Sequence, residues 1–283
     1  MAIPVFFTPR MVADSRSFSP SAMKPVQVVA SWQAKFPIEL IEPQPVTVDE
    51  LARAHDRLYV EDILSCRQAN GFGNRSPEVA ASLPYTSGAM LAAARHVLKT
   101  GKAAAAPVSG FHHAGFMNPE GFCTFNGLMV TALALKAEGL VQKVGILDLD
   151  MHYGNGTDEI LRVTKSREWV HHFTGGQEFT SPDQAPEFFA TALPEELEMM
   201  KGCDVVLYQA GADPHINDPC GGWLTTEQLR QRDELVFTTL AKMNIPVAWD
   251  LAGGYQRERD GTIPKVLEVH DNTMRECVKV YGG

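Results

Sequence analysis

At 283 residues and 45% apolar composition, the chain is long enough to bury a sizeable soluble core. With 25 Lys and Arg against 34 Asp and Glu, its net charge of −9 argues against a nucleic-acid partner and leaves a basic protein or polyamine open. The N-terminal MAIPVFFTPRM is interrupted too soon by Pro and Arg to be a signal peptide, no window approaches ~20 apolar residues, and the five cysteines form no CxxC pair; no membrane span, reduced thiols and a cytoplasmic location are expected.

Taken in chain order, short apolar runs alternate with helical patterns. Ile3–Phe7 reads as a first strand, and the Ser- and Pro-rich Val12–Pro25 as a loop. Gly71–Pro84, with GFGN and two prolines, reads as a second loop. Gly88–Leu98 has helical spacing, then Ala103–Val108 is a strand ending in SGFHHAG. After a helix at Leu128–Ala137 comes VGILDL (Val144–Leu149), nearly continuous in apolar residues, as buried parallel strands are. Glu168–Phe173 and Asp204–Gln209 are similar, Thr226–Met243 is helical, and Pro246–Leu251 is a last strand. The alternation predicts an α/β fold, a three-layer α/β/α arrangement with a central, mostly parallel sheet. No linker interrupts it, so residues 1–283 are expected to form a single domain. The strand ends at Val108, Leu149, Gln209 and Leu251 are each followed by His, Asp, Gly or Tyr. Sites in open parallel sheets form at carboxyl ends, so these four predict one shared cleft.

DLDMHYGNGT (Asp148–Thr157) is the sharpest chemical signal. Alternate residues of a strand face one way, so Asp148, Asp150 and His152 point together. An Asp-x-His pair offers an oxygen and an imidazole nitrogen, a set that suits Zn²⁺. A polar turn with Asp148 as a cap is the bland alternative; burying such groups without a cation makes it costly. QAGADPHINDP (Gln209–Pro219) adds Asp213, His215 and Asp218. Asp213 lies just past its strand and is the natural third ligand, whereas Asp218-Pro219 starts a turn. His112 and His113 could be ligands, bases or loop residues, and His171-His172, inside a strand, reads as structural. Gly253-Gly254 permits a tight turn that presents Tyr255, whose phenol could donate to an oxyanion.

In this order the segments resemble the zinc-dependent histone deacetylase family, which includes bacterial deacetylase-like amidohydrolases and acetylpolyamine amidohydrolases and shares the arginase/deacetylase fold. HDRLYVEDIL (His55–Leu64), the HH pair, EGFCTFNG, DLDMHYGNGT, GAD…DPCGGWLTTE and GGY each have a counterpart there. The resemblance places one zinc on Asp150, His152 and Asp213. It makes His112 and His113 the tandem histidines, tied to Asp148 and Asn155, and Tyr255 the transition-state tyrosine. It puts Gly121 and Phe122 on the wall of an acyl-lysine tunnel. It implies a structural K⁺ held by Asp148 with the backbone carbonyls of Asp150 and His152. The chain departs from the family at Ala252-Gly253-Gly254 and at FTGGQEFTSPD, where Phe179 is a candidate for the opposite tunnel wall, and it lacks a serine near Val170 for the K⁺ site.

The implied reaction is hydrolysis of an acetyl or short acyl amide of an amine, with acetyl-lysine in a protein or peptide as first expectation. An acetylpolyamine is the alternative substrate. A two-metal ureohydrolase would need further Asp and His ligands where Met151, Tyr153 and Pro214 stand. A non-catalytic binding module would be expected to lack a ligand or the tyrosine.

Overall fold

Seven apolar segments become strands: β1 (Ile3–Phe6), β2 (Ile38–Ile41), β3 (Ala103–Ala105), β4 (Val144–Asp148), β5 (Val170–Thr174), β6 (Val205–Gln209) and β7 (Val247–Asp250). The computed structural model describes residues 1–283. All pairings are parallel, in the order β2-β1-β3-β7-β6-β4-β5. The central strands are buried at every position, which is why their sequences show no polar alternation. Their period of two divides the side chains between two cores. Ile146, Leu207 and Ala248 face one layer, while Leu147, Val206, Tyr208 and Trp249 face the other.

Helices supply both layers. Against the second core lies α1 (Lys24–Lys35). The first face carries α2 (Val48–Leu51), α3 (Arg57–Leu64), α4 (Pro77–Thr100), α5 (Gly127–Ala137) and α6 (Asn155–Val163). The short α7 (Ala185–Glu187), then α8 (Leu193–Met199), α9 (Thr226–Lys242) and α10 (Pro264–Tyr281), complete the second. The chain is thus a three-layer α/β/α fold with a parallel sheet, as its sequence pattern implies. No helix is long and apolar enough to cross a membrane.

One expected loop is half helix. Within Gly71–Pro84, α4 starts at Pro77: Ser76 Oγ accepts from the Val79 amide at 3.4 Å, and Pro77 takes the first helical position, where no N–H is needed. Pro84 is carried inside the helix. The edge strand β2 and helices α1 and α10 are additions to the sequence pattern.

The topology matters most at one end of the sheet. Strands β3, β7, β6 and β4 are consecutive neighbours. Their carboxyl ends deliver, side by side, the segments that carry His112-His113, Tyr255, Asp213 and Asp150–His152.

Candidate metal centre

β4 ends on Asp148, and Asp150 and His152 follow; Asp213 follows β6. One donor atom from each of Asp150, His152 and Asp213 lies within 4.8 Å of the others. His152 Nδ1 stands 3.2 Å from Asp150 Oδ1 and 3.0 Å from Asp213 Oδ2. On the ring's other side, Nε2 is 3.0 Å from the Cys220 carbonyl oxygen. A carbonyl only accepts, so Nε2 donates to it, and Nδ1 is the nitrogen left facing the two carboxylates.

That donor set fits a cation. Asp213 Oδ2 is buried, and apart from its 3.0 Å approach to His152 Nδ1 no donor reaches it. Burial, and then repulsion from Asp150, push the Asp213 carboxyl above its ordinary range. Hydrogen bonds that the protonated ring donates to Asp150 and Asp213 pull His152 up to about 11 when no metal is bound. A cation among the three would take over the charge that the ring proton otherwise supplies, and one imidazole with two carboxylate oxygens suits zinc while leaving a fourth position open.

The tandem histidines flank the cluster, their ring centroids 4.1 Å apart. His112 Nδ1 is 2.7 Å from Asp148 Oδ2, and its Nε2 is 3.5 Å from Asp150 Oδ1. Burial opposes its charge, but the Asp148 and Asp150 carboxylates outweigh this and push it up to about 9. His113 Nδ1 is 2.6 Å from Asn155 Oδ1, and burial followed by the neighbouring His112 hold it below its usual value. Asp148 is itself fixed, its Oδ1 accepting from Gln209 Nε2 at 2.9 Å.

The Tyr255 loop is held from two sides. Asp218 Oδ2 accepts from the Tyr255 amide at 2.8 Å. Buried Lys24 donates to the carbonyls of Leu251, at 2.8 Å, and Gly253. Burial lowers the Lys24 ammonium to about 7 against the pull of Asp213 and Asp150. Gly253 is required, because its φ is +55° and a Cβ there would lie 2.3 Å from the Asp213 carboxyl carbon. Burial, then Asp213, raise the Tyr255 phenol well above its ordinary range, so it remains a donor.

Phe122, held at φ +64°, packs 5.7 Å from the Tyr255 ring. Beside it stands not Phe179 but Phe18, from the Val12–Pro25 loop, at 5.2 Å from Phe122 and 6.4 Å from Tyr255. Phe179 is buried in the second core, stacked on Trp223 and edge-on to Phe188, because the segment after β5 folds inward. The carbonyls of Asp150 and His152, which the family resemblance assigns to K⁺, accept no hydrogen bond. Thr174, paired in register with Asp148, accepts from the Gly154 amide through its hydroxyl at 2.9 Å. His171 and His172 bond Glu196 and Asp158 rather than any of the three candidate ligands.

Lys24 and Arg232 join the site unannounced by any motif, and Gln209, the last residue of β6, joins it through Asp148. Arg232 Nη1 reaches the carbonyls of Leu149 (3.1 Å) and Gly211 (2.7 Å), tying together the loops after β4 and β6. A signal existed for it, since Arg232-Asp233 falls on the apolar stripe Leu229, Val236, Phe237, Leu240 of α9.

The parallel sheet, the cleft at its carboxyl end and the buried Asp-His-Asp cluster together have the architecture of the deacetylase class, with a candidate metal site. Residues 21–177 match the histone deacetylase domain, more than half of the chain, and the chain belongs to that family. It is 32% identical over 164 residues to an uncharacterised protein of Picosynechococcus sp., covering 52% of this chain and 54% of that one. It is 31% identical over 160 residues to histone deacetylase 15 of Arabidopsis thaliana, covering 52% of this chain and 28% of the relative. The matches thus span about half or less of these relatives' lengths. Among solved structures, the fold is shared with the HDA15 HD domain (TM-score 0.78, 20% identity, 98% of this chain and 91% of that one). It is also shared with an acetylpolyamine aminohydrolase from Burkholderia pseudomallei (TM-score 0.74, 19% identity, 99% of each).

Proposed function

We propose that this chain, as one catalytic domain over residues 1–283, is a zinc-dependent amidohydrolase that removes an acetyl or short acyl group from an amine, acetyl-lysine in a protein or peptide being the preferred substrate. The observation that carries the proposal is the His152 ring: its Nε2 bonded to the Cys220 carbonyl leaves Nδ1 facing two buried carboxylates beside the tandem histidines. Asp150, His152 and Asp213 would hold one Zn²⁺, which when bound supplies Lewis acidity to polarise an acyl carbonyl and acidify water. Asp148 and the Asp150 and His152 carbonyls would hold K⁺.

The protein groups divide the remaining work. His113, neutral at neutral pH, is the general base that takes a proton from water and returns it to the leaving amine. His112, kept charged by Asp148, adds a positive field beside it. Tyr255 donates to the oxyanion as it develops. Gly121 and Phe122, with Phe18 beside Phe122, line the path of the acylated side chain and exclude water from it. An open groove of about 510 Å³ runs from Tyr255 past Phe18 and Pro219, leaving room for peptide on either side of a modified lysine.

An acetylpolyamine is the second reading, favoured by the shared fold with an acetylpolyamine aminohydrolase. Turnover of an acetyl-lysine peptide and of acetylputrescine by the zinc-reconstituted protein separates the two. A higher kcat/KM on the peptide is expected; a higher value on acetylputrescine would reverse the assignment.

A further inference from the structure

The two histidines differ in partner. His112 faces a carboxylate, whereas His113 faces the amide of Asn155. An amide is ambiguous where a carboxylate is not. Turned over, Asn155 would present its NH₂ to His113 Nδ1 and drive the ring proton to Nε2. His113 could then take no proton from water through that nitrogen. The amide must be held in the one orientation that keeps Nε2 free.

We propose that Glu120 is the positioning residue that orients the Asn155 amide and thereby sets the tautomer of His113. Glu120 Oε2 accepts from Asn155 Nδ2 at 3.0 Å. An ionised carboxylate only accepts, so the NH₂ faces Glu120 and the carbonyl faces His113. Glu120 is fixed by a tight bridge to Cys123, with backbone bonds of 3.0 and 2.8 Å. Between them, Gly121 lies flat against the imidazole: a Cβ there would come within 2.3 Å of His113 Cδ2. One turn therefore packs the His113 ring and fixes the proton on it. Asp at position 155 would need no such control, and its carboxylate would stand about 3 Å from that of Glu120 and be repelled. The sign of the Glu120 effect should then reverse.

Glu120 bears on turnover only if the deacetylase assignment above holds, but the tautomer can be read without turnover. The test compares wild type, Glu120→Ala, Asn155→Asp and the double variant, each zinc-loaded and ¹⁵N-labelled in histidine, with the His113 signals assigned by their loss in His113→Ala. Wild type should show Nδ1 protonated and Nε2 free, and Glu120→Ala should shift population to the Nε2-protonated form. Its kcat should fall about five-fold, the net worth of one ordinary hydrogen bond, with KM unchanged. In the Asn155→Asp background, the same substitution should raise kcat. An unchanged tautomer in Glu120→Ala would overturn the proposal whatever the rates. So would a raised KM at unchanged kcat, which would make Glu120 a contact for a cationic substrate. If no variant releases acetate, the deacetylase assignment fails while the spectra still decide the role of Glu120.

Discussion

Tyr255 and His55 show how two residues close to the same cleft act by different physics. Tyr255 is a half-buried phenol kept protonated by burial and by the carboxylates of the metal cluster. Tyr255→Phe removes one donor and no ligand. Its kcat should fall by about 10²–10³-fold with zinc content unchanged, as measured by steady-state kinetics and metal analysis. Wild-type turnover would show that the phenol is not the donor. His55 is structural: its Nδ1 lies 2.9 Å from the Gly115 carbonyl and its Nε2 accepts from the Asn126 amide at 2.9 Å. Protonation would destroy the second bond, and burial lowers the imidazole from 6.5 to about 4. The folded pKa is depressed, so the unfolded chain takes up the proton first. The stability that His55 contributes is complete above pH 6.5 and is lost as pH falls to about 4. The stability gap between wild type and non-titrating His55→Gln should therefore narrow by about 3 kcal/mol between pH 7 and 4, at 1.36 kcal/mol per unit. Urea unfolding at several pH values measures it, and a constant gap would contradict it. At this scale the sequence was uneven. Asp150 and His152 were legible from strand period alone, whereas Asp213 needed the family resemblance to choose it over His215 and Asp218. Lys24 carried no signal, because nothing in SAMKP shows that its ammonium will be buried under a loop more than two hundred residues away.

Elements fix how the ligands stand relative to each other. Helix α9 does this through Arg232, which holds the carbonyls following β4 and β6 and pairs with buried Asp233. Arg232→Met keeps the helix but leaves Asp233, which Tyr208 and Thr273 still donate to, without its cationic partner and frees both loops. Stability should fall by about 3 kcal/mol in urea unfolding, the usual order for breaking a buried pair, with weaker zinc retention. Equal stability and metal content would remove α9 from the account of the site. Strand elements were readable because β4, β6 and β7 are short apolar runs ending in polar residues. Helix α4 was only partly so: Pro77 and Pro84 read as breakers, yet Pro77 is a helix start capped by Ser76 and Pro84 is absorbed by packing. The segment after β5 was misread for a related reason. Phe179 has the composition of a tunnel wall, but its burial against Trp223 is a tertiary fact that local sequence does not carry.

For the whole molecule, the strand order β3-β7-β6-β4 is what turns four separate polar bursts into one site. Sequence showed the bursts and the alternation; the neighbour relation depends on crossovers that no local pattern encodes. The central claim is that the converging Asp150, His152 and Asp213 hold a zinc ion on which amide hydrolysis depends. It is tested most directly by measuring bound zinc and acetate release together, on wild type and on folded Asp213→Ala, with an acetyl-lysine peptide and acetylputrescine as substrates. One zinc per chain with acetate release in wild type, and loss of both in Asp213→Ala, is the result expected. Full zinc occupancy in Asp213→Ala, or zinc-loaded wild type that releases acetate from neither substrate, would contradict it.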